Sequence, residues 1–438
     1  MTEVTPSLEN TRVSRRFQFH CFKTIELLGV FSRNSPLRKS LRRRVGQFLV
    51  DTRGRRGYTG ACLKTPEEGA FVSRIIAFVK RNPVVTVAAA AALITMVAVP
   101  PDGQYRNYFD WRTLTCLFCV LAVVCALKNI QFFYLLARKI VERFRTLRMA
   151  VIALVYITFI GSMLIANDMA LLTFLPLGYY VLKRTGKEHA MALVFIFQNI
   201  AANLGGMLTP FGNPQNLYLY SHFGIPDGEF VSIMLPPFLL SITLITLCCF
   251  LIPRDPLQIR GERVSLPKGR TAAYLALFGL AILIVFRSVP YWIGLLIIPA
   301  ALLLLDPKAL KMVDYPLLCT FVLFFIFSGN LARIPEVRDF FAGLLQKNTL
   351  LVSVASCQCI SNVPTAILLS QFTENYRQLL VGVNIGGVGT LIASLASLIT
   401  FREYARYNQG RMLRYVLVFT LFNFLFLGVL CVFELLIL

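Results

Sequence analysis

Asn203-Leu-Gly-Gly-Met-Leu-Thr209 returns as Asn384-Ile-Gly-Gly-Val-Gly-Thr390, an offset of 181 residues. At the same offset Asn213-Pro-Gln-Asn-Leu217 faces Ser394-Leu-Ala-Ser-Leu398, so small polar residues recur at two positions. Upstream, Asn167 precedes the first glycine motif as Asn362 precedes the second, with a longer separation in the first case. Further upstream, Asp110-Trp111 and Asp314-Tyr315 each open an apolar run, and each run is followed by an amphipathic arm, 131–148 and 333–347. Two units thus share one order: acidic-aromatic helix start, surface arm, polar-tipped hairpin, glycine-broken helix. Such self-similarity marks a duplicated architecture.

The surrounding composition says in what medium the duplication sits. With 56% of 438 residues hydrophobic, a water-soluble globule would show more apolar surface than its polar side chains could cover. Runs long enough to cross an apolar core of about 30 Å fall near 82–100, 112–130, 190–221, 230–252, 271–287, 290–305, 316–331, 379–400 and 415–436. Two more, 150–182 and 349–372, are interrupted by Asn167-Asp168 and Ser361-Asn362. Each half is too short to span, so both are expected as re-entrant hairpins shielded by protein or lining a cavity. The expected fold is an all-α polytopic membrane protein of about nine spanning helices and two re-entrant hairpins. It divides into a basic tail, 1–81, a first half, 82–305, and a second half, 306–438. The first repeat places its hairpin at 150–182 and its broken helix at 190–221; the second places them at 349–372 and 379–400. Five crossings separate Asp110 from Asp314, an odd number, so the copies face opposite sides of the membrane. Inverted repeats with broken helices at mid-membrane are a secondary-transporter architecture.

A net charge of +22 suggests a polyanion partner, but its placement gives another meaning. With residue 1 cytoplasmic, 37 basic residues fall inside and 7 outside, and without residues 1–81 the division is 20 to 7. That asymmetry is the positive-inside signature. It places the amino terminus in the cytoplasm and the carboxy terminus outside, in the cell membrane, with the lipid bilayer and not nucleic acid as partner. The tail, with 17 basic residues, reads as a solvated segment held near anionic lipid. Its apolar patch Ile25–Phe31 is short and broken by Glu26, which excludes a secretory signal. The tail's lack of apolar periodicity leaves a downstream translation start open.

Enzymatic chemistry has no support. His20, His189 and His222 lack ligand spacing, Cys116-x-x-Cys119 has no second pair, and no Ser-His-Asp order, Walker loop or H-E-x-x-H occurs. Gly386-Gly387-Val388-Gly389 lacks the preceding strand of a phosphate loop. No cofactor is expected beyond a coupling ion.

Ser162-Met-Leu-Ile-Ala-Asn-Asp168, Gly212-Asn-Pro-Gln-Asn216, Ser361-Asn-Val-Pro-Thr365 and Gly382-Val-Asn-Ile-Gly-Gly-Val-Gly-Thr390 together resemble the ion transporter superfamily, in particular its arsenite, citrate and divalent-anion permeases and related sodium/proton antiporters. The similarity covers roughly residues 72–438. It implies a homodimer whose protomers pair a scaffold domain with a transport domain moving as an elevator. The hairpin tips, Ala166-Asn167-Asp168 and Ser361-Asn362-Val363, depart from the Ser-Asn-Thr of the dicarboxylate branch.

Asp168 is expected to be the one acidic residue in the apolar zone, where an ionised carboxylate needs a proton or a cation. It is therefore the candidate coupling residue; the alternative is a structural cap on a half-helix. Sodium needs about five or six hard oxygen ligands. Asn167 and Asp168 with the 209–213 break form one candidate cation site, and Asn362 with the 390–394 break forms its counterpart. An anion would use the positive ends of half-helices, with contacts from Thr209, Asn213, Asn216, Ser361, Thr365, Thr390, Ser394 and Ser397. Buried asparagines that only satisfy structure are the competing reading. The expected function is ion-coupled secondary transport of an inorganic or carboxylate anion. Sodium/proton antiport and a non-transporting receptor or scaffold are the alternatives, and coupling by sodium or by protons stays open.

Overall fold

The computed structural model describes residues 82–256 and 266–437; the basic tail lies outside them. Helix α1 (Pro83–Ala98) precedes the first repeat, which comprises α2 (Trp111–Asn129), the arm α3 (Phe132–Val141), a hairpin of α4 (Leu147–Ile165) and α5 (Asn167–Arg184), a broken pair α6 (Met191–Gly205) and α7 (Pro214–His222), and α8 (Asp227–Cys249). Three connecting helices follow, α9 (Lys268–Val285), α10 (Tyr291–Leu305) and the short α11 (Pro307–Lys311). The second repeat keeps the order: α12 (Tyr315–Ala332), arm α13 (Pro335–Lys347), hairpin α14 (Thr349–Ile360) and α15 (Asn362–Leu369), broken pair α16 (Tyr376–Ile385) and α17 (Leu395–Tyr407), then α18 (Met412–Ile437). Among the described residues there is no strand, only one bridge between Thr146 and Pro256.

The elements start where the sequence supplies caps. Asp110 accepts from the Thr113 N–H at 2.9 Å and opens α2, and Asp314 accepts from the Leu317 N–H at 3.0 Å and opens α12. Both broken pairs stop inside the glycine motif, α6 at Gly205 and α16 at Ile385. Gly386 to Gly389 therefore lie in the break, not in a continuous span.

Seven helices among the described residues are long and apolar enough to cross a membrane, or eight if α13 and α14, bent by 120°, form one broken span. The protein is an all-α, multi-pass integral membrane protein. The count departs from nine for identifiable reasons. The runs at 82–100 and 290–305 fold as helices of 16 and 15 residues, and that at 379–400 is divided by its break; the run at 190–221 is broken too, but its first part, Glu188–Leu208, is still long enough to cross. Capped by Thr146, α4 starts at Leu147 and reaches 19 residues, so this half of the first hairpin is long enough to cross after all. It nonetheless folds back on α5. The Gln198 Nε2 donates to Thr158 Oγ1 of α4 and to the Phe174 carbonyl of α5, both at 3.1 Å, tying α6 to both arms.

A second correction concerns charge. Helix α18 runs unbroken to Ile437 and carries Glu434, inside the apolar run 415–436, at 2% exposure. Asp168 is thus not the sole carboxylate among the apolar helices. Outside the spans, Arg333 clamps Asp102 with Nη1 at 3.1 Å and Nη2 at 2.7 Å, which holds the Asp102 carboxyl below the usual carboxylate range.

Helices α4 and α6 approach closely at Gly205, where a Cβ would sit 2.2 Å from the Phe159 carbonyl oxygen and 2.7 Å from Ser162 Oγ. Backbone cannot yield as a side chain can. Gly205→Ala is expected to destabilise the protein by about 1–3 kcal/mol, read as a lower melting temperature in detergent. Gly343→Ala, at a position with open space, serves as the control and is expected to be neutral or stabilising.

Candidate functional site

The two hairpin tips share one unusual backbone. Ala166 has φ 64° and ψ 151°, and Ser361 has φ 76° and ψ 157°. This region is almost reserved for glycine and costs a side-chain-bearing residue about 1–3 kcal/mol. Each tip then starts a helix with an asparagine that caps it locally: Asn167 Oδ1 accepts from the Asp168 N–H and Asn362 Oδ1 from the Val363 N–H, both at 2.9 Å. The equivalent of Asp168 is therefore Val363, and the repeats are chemically unequal at this point.

Two threonines fasten the breaks to the hairpins. Thr209 Oγ1 donates to the Met163 carbonyl at 2.7 Å, and Thr390 Oγ1 donates to the Gln358 carbonyl at 3.2 Å. Each accepting residue lies four before its hairpin asparagine, so one bond occurs in both copies.

Crossed contacts join the copies. Ser394, which starts α17, donates to Asn203 Oδ1 at 2.7 Å, and Asn167 Nδ2 reaches the same oxygen at 3.3 Å. Reciprocally, Asn213, which starts α7, donates through Nδ2 to Asn384 Oδ1 at 3.3 Å, while Asn384 Nδ2 donates to Asn216 Oδ1 at 2.6 Å. The asparagine of each glycine motif thus holds the restarting half-helix of the other repeat. Packing follows the same exchange, with α7 against α15 and α17 against α5. Asn203 and Asn384 were used in the sequence to recognise the repeat; their place in the site was missed, although the repeat itself was the signal.

Free carbonyls in the breaks are gathered by amide nitrogens. Asn216 Nδ2 lies 3.2, 3.1 and 3.3 Å from the carbonyl oxygens of Gly206, Met207 and Thr209. Ser397, its counterpart, is too short for that task and instead accepts from Asn199 Nδ2 at 3.3 Å. Gln358 takes over, with Nε2 2.9 Å from the Gly386 carbonyl and 3.2 Å from that of Val388. Nothing in the repeat comparison pointed to Gln358, because its first-copy equivalent is Met163. The first break is also closed by mutual approach of glycines, since a Cβ on Gly212 would sit 2.3 Å from the Gly206 carbonyl oxygen.

Other expected site residues are placed less centrally. Thr365 Oγ1 bonds its own turn through the Ser361 carbonyl at 2.7 Å. Asn362 does join the second break, its N–H donating to the Ala393 carbonyl at 2.9 Å. The Asp168 carboxylate, by contrast, makes no hydrogen bond to the 209–213 break, whose Thr209 hydroxyl is committed to the Met163 carbonyl. Asp168 Oδ1, Asn213 Oδ1 and Gln215 Oε1 are buried acceptors without a partner. All three belong to the first repeat. No group of three or more His, Cys, Asp or Glu suited to a metal ion occurs among the described residues.

Paired hairpins, broken helices and a buried amide network within an all-α multi-pass chain define a secondary transporter. The chain belongs to the citrate transporter family, whose profile matches residues 72–376. It is 32% identical over 316 residues to an uncharacterized transporter of Methanocaldococcus jannaschii, covering 71% of this chain and 86% of that one. To the Escherichia coli inner membrane protein YbiR it is 31% identical over 303 residues, covering 67% and 80%. A shorter match, 28% over 163 residues, links it to the silicon efflux transporter LSI3 of Oryza sativa subsp. japonica, covering 36% and 33%.

Replacing Asn203 by leucine strands Asn167 Nδ2 and Ser394 Oγ in an apolar interior. Thermal unfolding is expected to show a loss of about 2–3 kcal/mol, with Ser394→Ala losing less. Equal, negligible effects would show that the network does not hold the copies together.

Proposed function

We propose that this protein is an ion-coupled secondary transporter of a small, oxygen-rich anion, working by alternating access with an elevator movement of the hairpins and broken helices. The observation that carries the reading is the exchange of half-helices, in which each repeat's asparagine holds the other's restart. Half-helices joined by such crossed contacts allow two equivalent arrangements, one for each repeat, and inverted repeats convert those arrangements into two directions of access.

Four helix starts, at Asn167, Pro214, Asn362 and Leu395, bound the network. Their aligned N–H groups and dipole ends favour negative charge. No Lys or Arg among the described residues hydrogen-bonds to the network, so a bound anion is balanced by these dipoles and a co-transported cation. The citrate of the family's name is a small, oxygen-rich anion, which supports this class. The partnerless oxygens of Asp168, Asn213 and Gln215 suit a sodium ion or a proton, with Asp168 as the coupling carboxylate. The second break has no such oxygen, so the cation requirement falls on one copy. The same oxygens favour a second reading, sodium/proton antiport without an anion. In either case the proposal places a homodimer in the cell membrane with its amino terminus cytoplasmic.

Proteoliposomes loaded under separate sodium and proton gradients, and offered citrate, succinate, sulfate and arsenite, distinguish these readings. Anion uptake that rises with one gradient supports the first; proton flux driven by sodium alone supports the second. Asp168→Asn is expected to reduce gradient-driven transport at least about 100-fold, the scale of a lost coupling charge, while the protein remains folded by size exclusion. Gradient-driven uptake at the wild-type rate would refute the coupling role.

A further inference from the structure

Away from the amide network, the arm α3 runs beside α5 and leaves a crevice between them of about 230 Å³, lined by Lys128, Phe133, Tyr134, Leu172, Thr173 and Pro176. One helical turn further along, both walls change character. Tyr134 and Arg138 lie four apart on α3, as Pro176 and Tyr180 do on α5, so each pair shares a face. Arg138 sits 5.6 Å from the Tyr180 ring centroid and Arg184 sits 5.4 Å from it. Two guanidinium groups therefore converge on one ring beside a crevice whose apolar lining is interrupted by Lys128, Gln131 and Thr173.

Charge is not balanced there. Arg138 is 8% exposed, and its Nε is bound to Glu142 at 2.6 Å. Its Nη2 is buried with no hydrogen-bond partner. A buried guanidinium donor without an acceptor is costly, and one carboxylate cannot neutralise two arginines. The neighbours add positive charge, with Lys139 following Arg138 and Lys183 held 5.4 Å from the Tyr179 ring centroid, against one further carboxylate, Glu188, which acts on Lys183; Arg184 itself is exposed. What is missing is an anion with several acceptor oxygens, since guanidinium forks match phosphate geometry. The adjoining crevice, opening where α3 exposes Leu136 and Ile140 and α5 exposes Leu172, adds an apolar requirement.

We propose that this is a binding site for an anionic phospholipid, its phosphate between Arg138 and Arg184 and an acyl chain in the crevice beside Leu172 and Pro176. Such a lipid bridges the surface arm and the hairpin that carries Asp168. It is a site separate from the amide network, and its occupancy does not depend on which substrate is carried. Lipid bound there ties the hairpin to the arm and makes transport sensitive to the headgroup composition of the membrane.

Native mass spectrometry of the full chain released from nanodiscs tests this, with equal mole fractions of phosphatidylglycerol and phosphatidylcholine supplied. Wild type is expected to retain one phosphatidylglycerol preferentially. Arg138→Gln combined with Arg184→Gln is expected to weaken that retention about 30-fold, the product of two interfacial charges. Arg184→Gln alone keeps the Arg138–Glu142 pair and is expected to lose about fivefold. Leu172→Trp fills the crevice without touching either arginine and is expected to lower retention with both charges in place. Equal retention of the two lipids, or retention unchanged in the double variant, overturns the proposal. Displacement of the lipid by millimolar inorganic phosphate would overturn it too, assigning the arginine pair to a soluble anion.

Discussion

A helix that stops in an apolar medium exposes backbone groups that water cannot reach, and every other feature of this molecule answers that constraint. Four helices stop near one point, after Ile165, Gly205, Ile360 and Ile385, and four restart there. The carbonyls left behind are taken by side-chain amides, Asn216 in the first break and Gln358 in the second. The restarting helices are held by asparagines of the opposite repeat, Asn203 and Asn384. Without those amides the breaks would close into ordinary helices or fill with water.

The solution is nearly symmetric, and the departures from symmetry are informative. Ala166 and Ser361 share a strained backbone, and Thr209 and Thr390 make the same bond, so duplication set the frame. Asp168 faces Val363 in the alignment, and among the residues at the tips and breaks the partnerless oxygens are those of Asp168, Asn213 and Gln215, all from the first repeat. The proposed coupled transport draws on both aspects: two related breaks for access from either direction, and one carboxylate for the coupling charge.

Much of this was legible in the residues. The repeat, both breaks, both hairpin tips and the helix starts at Asp110 and Asp314 follow from short polar motifs inside apolar runs, because such motifs are expensive there and persist only with a role. The limits of legibility have physical causes too. Hydropathy places a span but not its ends, so the cap at Thr146 that lengthens α4 was overlooked, and α1 and α10 were read as longer than they fold. Glu434 was passed over although it lies inside the run 415–436, because a strongly apolar run hides a single carboxylate close to its end. Gln358 escaped notice because it compensates for a contact that Ser397 is too short to make, and compensation between different positions leaves no repeat signal.

Opposed orientation of the two copies is the claim on which alternating access rests, and α4, long enough to cross the membrane by itself, is where it is most exposed to refutation. The direct measurement is labelling by a membrane-impermeant maleimide, in sealed vesicles of known orientation, of single cysteines replacing Arg145 and Glu188 at the two ends of the first hairpin and Lys347 and Glu374 at the two ends of the second, with native Cys21, Cys62, Cys248, Cys319, Cys359 and Cys431 removed. The account predicts that Arg145→Cys and Glu188→Cys react from one side and Lys347→Cys and Glu374→Cys from the other. Reaction of the two ends of either hairpin from opposite sides, or of all four positions from the same side, would contradict it.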